Sequence, residues 1–117
     1  MDSTEFRKEL LKIMPGYNWT VHENKALLYM DATGIKTSGF NRLSTLSVVR
    51  REKNGIADYA VKSSGFGKRA PFLIEVRAGT LARALRNLQK HYESYATMYA
   101  NHANALQTAR KQEVSQE

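Results

Sequence analysis

Two stretches of this sequence place aromatic, cationic and glycine residues together: SGFNR at 38–42 and SSGFGKR at 63–69. Each sets a phenylalanine, Phe40 or Phe66, a few residues before basic side chains, Arg42 in the first and Lys68 with Arg69 in the second. A ring on which a base can stack, next to a cation that can meet a phosphate, is the composition of a single-strand nucleic-acid site, where each stack contributes about 1–3 kcal/mol. Phenylalanine is ordinarily a core residue, and either ring would serve as well to cap the open end of a core. The Gly and Ser around both rings favour exposure. The stretch GFGKR also invites comparison with a phosphate-binding loop. It lacks the Gly-x-x-x-x-Gly-Lys-Ser/Thr spacing and leads into a strand, so no helix N-terminus is there to hold a mononucleotide. Backbone amides flanked by Lys68 and Arg69 suit one phosphate of a polymer. A plain hairpin loop needs the same glycines.

The charge distribution points the same way. The chain carries a formal net charge of +7. Residues 36–90 hold twelve Lys or Arg against three acids, Glu52, Asp58 and Glu75, and the remainder holds six against eight. A basic middle attracts polyanions, nucleic acid first and an acidic protein second.

Other chemistries find little support. His22, His91 and His102 have no metal-ligand spacing, and there is no cysteine to supply thiolates, disulfides or a nucleophile. His91 and His102 fall about 16 Å apart along a helix, too far to share an ion. Asp31 and Asp58 are candidates for acid–base work only by default, and Asp58 is better explained as a cross-strand partner of Arg51. The serines show no Gly-x-Ser-x-Gly elbow. No catalytic residue, metal or cofactor is assigned.

The elements that would position these residues follow from periodicity. Phe6, Leu10, Leu11, Ile13 and Met14 approximate one face of a short helix that starts at Ser3-Thr4-Glu5 and stops at Pro15-Gly16. YNWTVHE at 17–23 alternates as a half-buried strand, Asn24-Lys25 reads as a turn, and ALLYMDA at 26–32 as a second strand. Residues 34–41 read either as a continuing bent strand or as a loop. Asn54-Gly55 between two β-type runs predicts a tight hairpin. In that register Lys53 faces Ile56, Val48 faces Val61, Arg50 faces Tyr59 and Arg51 faces Asp58. Leu46, Val48, Tyr59 and Val61 then share the core side, with Ser47, Arg51, Asp58 and Lys62 on the wet side. Extended further, the register brings Arg42 opposite Gly67 and makes the two Ser-Gly-Phe stretches neighbours. PFLIEVR at 71–77 reads as the next strand, with Phe72, Ile74 and Val76 inward. Thr80 caps a long helix whose stripe runs Leu81, Ala84, Leu85, Leu88, Tyr92, Tyr95, Tyr99 and Leu106. A small sheet cannot cover all of it. Tyr92, Tyr95, Tyr99 and Leu106 are therefore candidates for an interface with the first helix or with a second copy.

The expectation is one α+β domain over residues 1–109, with a polar tail at 110–117 that frays. A short N-terminal helix precedes an antiparallel meander of four or five strands, and a long C-terminal helix packs on one face. The composition, 42% hydrophobic and 25% charged, suits one globular domain. No window is apolar enough for a membrane span or secretory signal, so a cytoplasmic setting is expected. The expected function is non-enzymatic nucleic-acid binding, through Arg42, Lys68 and Arg69 on phosphates and Phe40 and Phe66 on bases. Arg50, Arg51 and Lys62 would add electrostatic steering, Tyr29 would extend the surface, and a homodimer through the long helix would double the charge. The rival expectation is a small adaptor or inhibitor whose basic surface docks on an acidic protein.

Overall fold

Both residues of the Asn54-Gly55 pair have positive φ, 55° and 78°, the pattern of a type I′ turn, whose twist matches that of the flanking strands. In this computed structural model, which describes residues 1–23, 28–67 and 69–115, the elements run α1 (Ser3–Ile13), β1 (Asn18–Val21), β2 (Tyr29–Ser38), β3 (Asn41–Lys53), β4 (Ile56–Ser64), β5 (Glu75–Ala78) and α2 (Leu81–Ser115). The strands form one antiparallel sheet in sequential order, β1 to β5. The fold is α+β, as the periodicity predicts. The β3–β4 register is also the expected one: Lys53 opposite Ile56, Arg51 opposite Asp58, Val48 opposite Val61. The turn expected at Asn24-Lys25 lies outside the described residues.

The ambiguous segment at 34–41 continues as strand. β2 runs to Ser38, and β3 begins at Asn41 directly opposite it. Only Gly39-Phe40 remains for the bend, with Gly39 at φ 60°. A positive φ at the first central residue alone is the type II′ arrangement, which favours glycine there. A bulge interrupts this pairing: Lys36 faces Ser44, whereas Thr37 faces Arg42, so Leu43 is the extra residue of β3.

Both helices pack on one face of the sheet. Asp2 caps α1 through its carboxylate, which accepts from the Glu5 backbone N–H at 2.8 Å. Phe6 and Leu10 of α1 are fully buried, in one cluster with Trp19, Leu46, Val48, Val61 and the α2 residues Leu81, Ala84 and Leu88. Trp19 lies flat against Gly34, where a Cβ would stand 2.8 Å from the indole. Its Nε1–H donates to the Met14 carbonyl at 3.0 Å, tying the end of α1 to the sheet.

The strand expected at 71–77 is shorter than expected. β5 starts only at Glu75, whose partner Lys62 is the last residue of β4 to pair with it. Val76 and Ile74 pack on the core. Phe72, expected inward, is instead largely exposed with its ring against Lys62; upstream of Glu75 no ladder holds the alternation.

α2 is helical through Ser115, into the segment expected to fray. Its first turns are buried and everything from Glu93 to Arg110 is exposed. The molecule therefore measures 70 × 35 × 22 Å with a radius of gyration of 19.0 Å, against about 13 Å for a compact chain near this length.

Candidate nucleic-acid interface

The two Ser-Gly-Phe stretches are neighbours. Gly67 donates its backbone N–H to the Arg42 carbonyl at 2.9 Å, which is the expected opposition although the regular ladder ends at Thr45–Ser64. Phe40 at the hairpin tip is 104% exposed and Phe66 67% exposed. Neither ring closes the core. Arg69, two residues after Gly67, is exposed. Lys68 lies outside the described residues.

The sheet face without helices leads away from these turns. Its central rows run Thr33–Ser47–Lys62, Ile35–Thr45–Ser64 and Asp31–Val49–Ala60, a mix of hydroxyl and aliphatic side chains of which Thr45, Ala60 and Ser64 are buried. Its rim carries rings with cations. The Arg51 guanidinium sits 5.6 Å from the Tyr29 ring centroid, and the Lys62 ammonium 4.9 Å from that of Phe72. Such contacts contribute about 0.5–1 kcal/mol at exposed sites and hold a cation beside a π-face. Arg42 joins this face because of the bulge. Without Leu43 as an extra residue, strict alternation from Leu46 and Ser44 would aim Arg42 at the helix side. With it, Arg42 stands opposite Thr37, an outer-face residue.

Several expected roles change. Arg50 faces the helices, not the steering surface. Its side chain is 11% exposed and pairs with Glu52 at 3.4 Å, and its Nε–H donates to the Tyr59 hydroxyl at 3.1 Å. Burial opposes the Arg50 charge, but the Tyr59 hydroxyl and Glu52 outweigh it and raise its pKa. Tyr59 donates in turn to Glu9 of α1, and burial is the main cause that pushes its own pKa above the usual tyrosine value. Tyr59, held by Arg50, thus links the sheet to α1. Asp58 stands opposite Arg51 as expected, yet its ion partner is Arg77, at 3.3 Å, which also reaches Glu75 at 3.5 Å. Arg51 is left to Tyr29. Among the described residues no ion pair involves Arg42, Arg51, Lys62 or Arg69. The outer face also holds Asp31, opposite Val49, with Asp58 opposite Arg51 and Glu75 opposite Lys62, the last two paired with Arg77, so its cations are interleaved with acids.

Phe72 is the part of this surface that alternation missed. The signal available was Pro71 next to it, which supplies no N–H to a ladder. Of the residues expected at a helix interface, Tyr92 is half-buried and donates its hydroxyl to the Ser63 carbonyl at 2.9 Å. Tyr95, Tyr99 and Leu106 are exposed and α1 does not reach them. Among the described residues there is no group of three metal-ligating side chains, and no helix long and apolar enough to cross a membrane.

No protein-family model matches this chain, and no curated protein or solved structure matches it at a significant level. The functional reading rests on the geometry alone.

Proposed function

We propose that this chain is a non-enzymatic nucleic-acid-binding protein that takes single strands along its helix-free sheet face and the adjoining turns. Arg42, Arg51, Lys62, Arg69 and Lys68 meet phosphates, and Phe40 and Phe66 stack on bases, with Tyr29 and Phe72 as further rings. The observation that carries this reading is the exposure of Phe40 and Phe66 on two hydrogen-bonded turns, whose cations Arg42 and Arg69 make no ion pair among the described residues. Bare phenyl rings gain nothing in a monomer. Next to uncompensated cations they suit a ligand that is both anionic and aromatic, which describes an unpaired strand. Duplex offers the phosphates with its bases already stacked.

The test is a titration of the full chain with a labelled single strand and with a duplex of equal length at two salt concentrations. The expected result is tighter binding to the single strand and a steep fall with salt. Replacing Arg42, Lys68 and Arg69 by Ala should flatten the slope by roughly 0.7 for each single-strand phosphate no longer neutralised. No binding to either at low salt defeats the proposal and favours an acidic protein as the partner of the basic surface.

A further inference from the structure

The outer half of α2 and a groove at its base are two unpartnered surfaces of one chain. From Leu81 the seam steps by fours and threes through Leu81, Leu85, Leu88, Tyr92, Tyr95, Tyr99, Leu106 and Ala109, with His102 an imidazole at the one remaining step. This is the a/d spacing of a coiled-coil seam. The seam is buried as far as Leu88, half-buried at Tyr92, and bare beyond, with Tyr95 38%, Tyr99 68% and Leu106 60% exposed and Met98 beside them 52% exposed. Tyr95 and Tyr99 stack on one another at 6.3 Å and His91 meets Tyr95 edge-on at 4.5 Å, so the rings are already ordered along the helix. The groove lies between the end of α1 and the inner half of α2. Ile13, Met14 and Tyr17 line one side, Leu85, Arg86, Gln89 and Tyr92 of α2 the other, with Leu46 between, around a cavity of about 510 Å³.

Charge identifies the occupant. Residues 94–109 contain no Asp, Glu, Lys or Arg, in a chain of net charge +7. A helix face for an acidic or basic partner would carry matching charge. This one carries none, so the outer halves of two copies meet along their length without charge repulsion. Ala96, Ala103 and Ala105 flank the seam where many coiled coils place charged residues, which allows a second helix to approach closely. The area is of the right order. The four bare side chains leave roughly 400 Å² open per copy, taking roughly 150–250 Å² for a large ring. Two copies then bury about 800 Å² before groove and alanines are added, towards the ~1,200–2,000 Å² of a stable interface.

We infer that two copies of this chain pair antiparallel through α2, the bare outer half of each helix lying alongside the seam of the other with its Leu106 end in the other's groove. An antiparallel pair fills both grooves by one twofold operation. It also sets the two basic bodies at opposite ends of the helix pair. A parallel pair would crowd them together and leave both grooves empty.

The natural sequence has no cysteine, so single-cysteine variants report the geometry cleanly. The full chain is expected to sediment as a dimer at micromolar concentration. Tyr99→Asp with Leu106→Asp is expected to sediment as a monomer with unchanged circular dichroism, since these side chains touch nothing in the core. Mixed under mild oxidation, Gln89→Cys and Leu106→Cys should form the hetero-disulfide, because only an antiparallel pair brings their Cα atoms within about 7 Å; Leu106→Cys alone should not link to itself. A wild-type monomer overturns the proposal, as does a dimer that survives the double Asp variant. Efficient self-linking of Leu106→Cys overturns the antiparallel arrangement.

Discussion

The two faces of the sheet are made by the same strands and have opposite fates. On the helix side, residues in register across β2, β3 and β4, such as Ala32, Val48 and Val61, are buried to within 1%. One residue along each strand, Thr33, Ser47 and Lys62 stand in register on the other side with no helix above them. The difference between the faces is one step of the pleat. A single tight turn at Asn54-Gly55 therefore assigns both at once, and a single bulge at Leu43 is enough to transfer a cation from one to the other. Arg50 and Arg51 show the same contrast at neighbouring positions. The first is engaged by Tyr59 and Glu52 under α1, the second lies over Tyr29 in the open.

The largest expected contrast is between two phenylalanines. Phe6→Ala empties a fully buried site and should cost about 3–5 kcal/mol of stability in denaturant unfolding. Phe66→Ala should leave the unfolding midpoint within experimental scatter and weaken single-strand binding by about 1–3 kcal/mol. Equal effects of the two on stability would remove the distinction between the faces. Next in size is Gly34→Ala, whose new methyl meets an indole already anchored to Met14. Overpacking of this kind costs about 1–3 kcal/mol, and thermal unfolding followed by Trp19 fluorescence reads it directly. The adjacent arginines sharpen the comparison further. Arg50→Ala should lower stability by about 1.5–3 kcal/mol, the range for hydrogen bonds to charged groups, with no change in salt dependence of binding. Arg51→Ala should do the reverse, reducing the salt slope by about 0.7 and costing stability no more than the ~0.5–1 kcal/mol of its contact with Tyr29.

The smallest effect is alkaline. Burial raises the Tyr59 pKa above its ordinary 10.0, so the folded state holds this proton more tightly than the unfolded chain. That contribution is complete below about pH 10 and is lost as pH rises through the folded value. Thermal midpoints taken from pH 8 to 11 should fall more steeply above 10 for the wild type than for Tyr59→Phe; parallel curves would show that Tyr59 titrates as an exposed tyrosine.

Much of the site was legible in the sequence. The approach of the two Ser-Gly-Phe stretches followed from counting outward from Asn54-Gly55, because an antiparallel register is rigid arithmetic once the turn is known. The exposure of Phe40 and Phe66 was left open by the sequence, since the Gly and Ser around them point to it while phenylalanine is ordinarily a core residue. What failed did so where alternation lost its support. Phe72 alternates with Ile74 and Val76, but it lies beyond the last β4–β5 pair and turned outward. Asp58 and Arg51 are opposite in register, yet the shorter reach was diagonal, to Arg77, and that choice depends on how β5 lies alongside β4. The stripe on α2 was readable over its whole length, and the limited reach of a small sheet already set Tyr92 and the residues beyond it apart from the packed first turns.

Local sequence, then, determined the elements, the tight bend, the strand register and the two-sided chemistry of the sheet, since these depend on φ preferences and on periods of 2 and 3.6 that neighbouring residues set among themselves. Only the tertiary structure decided which side Arg42 takes, which carboxylates are already neutralised, and which way Phe72 turns. Those outcomes depend on distances between residues far apart in the chain, and no local periodicity encodes them.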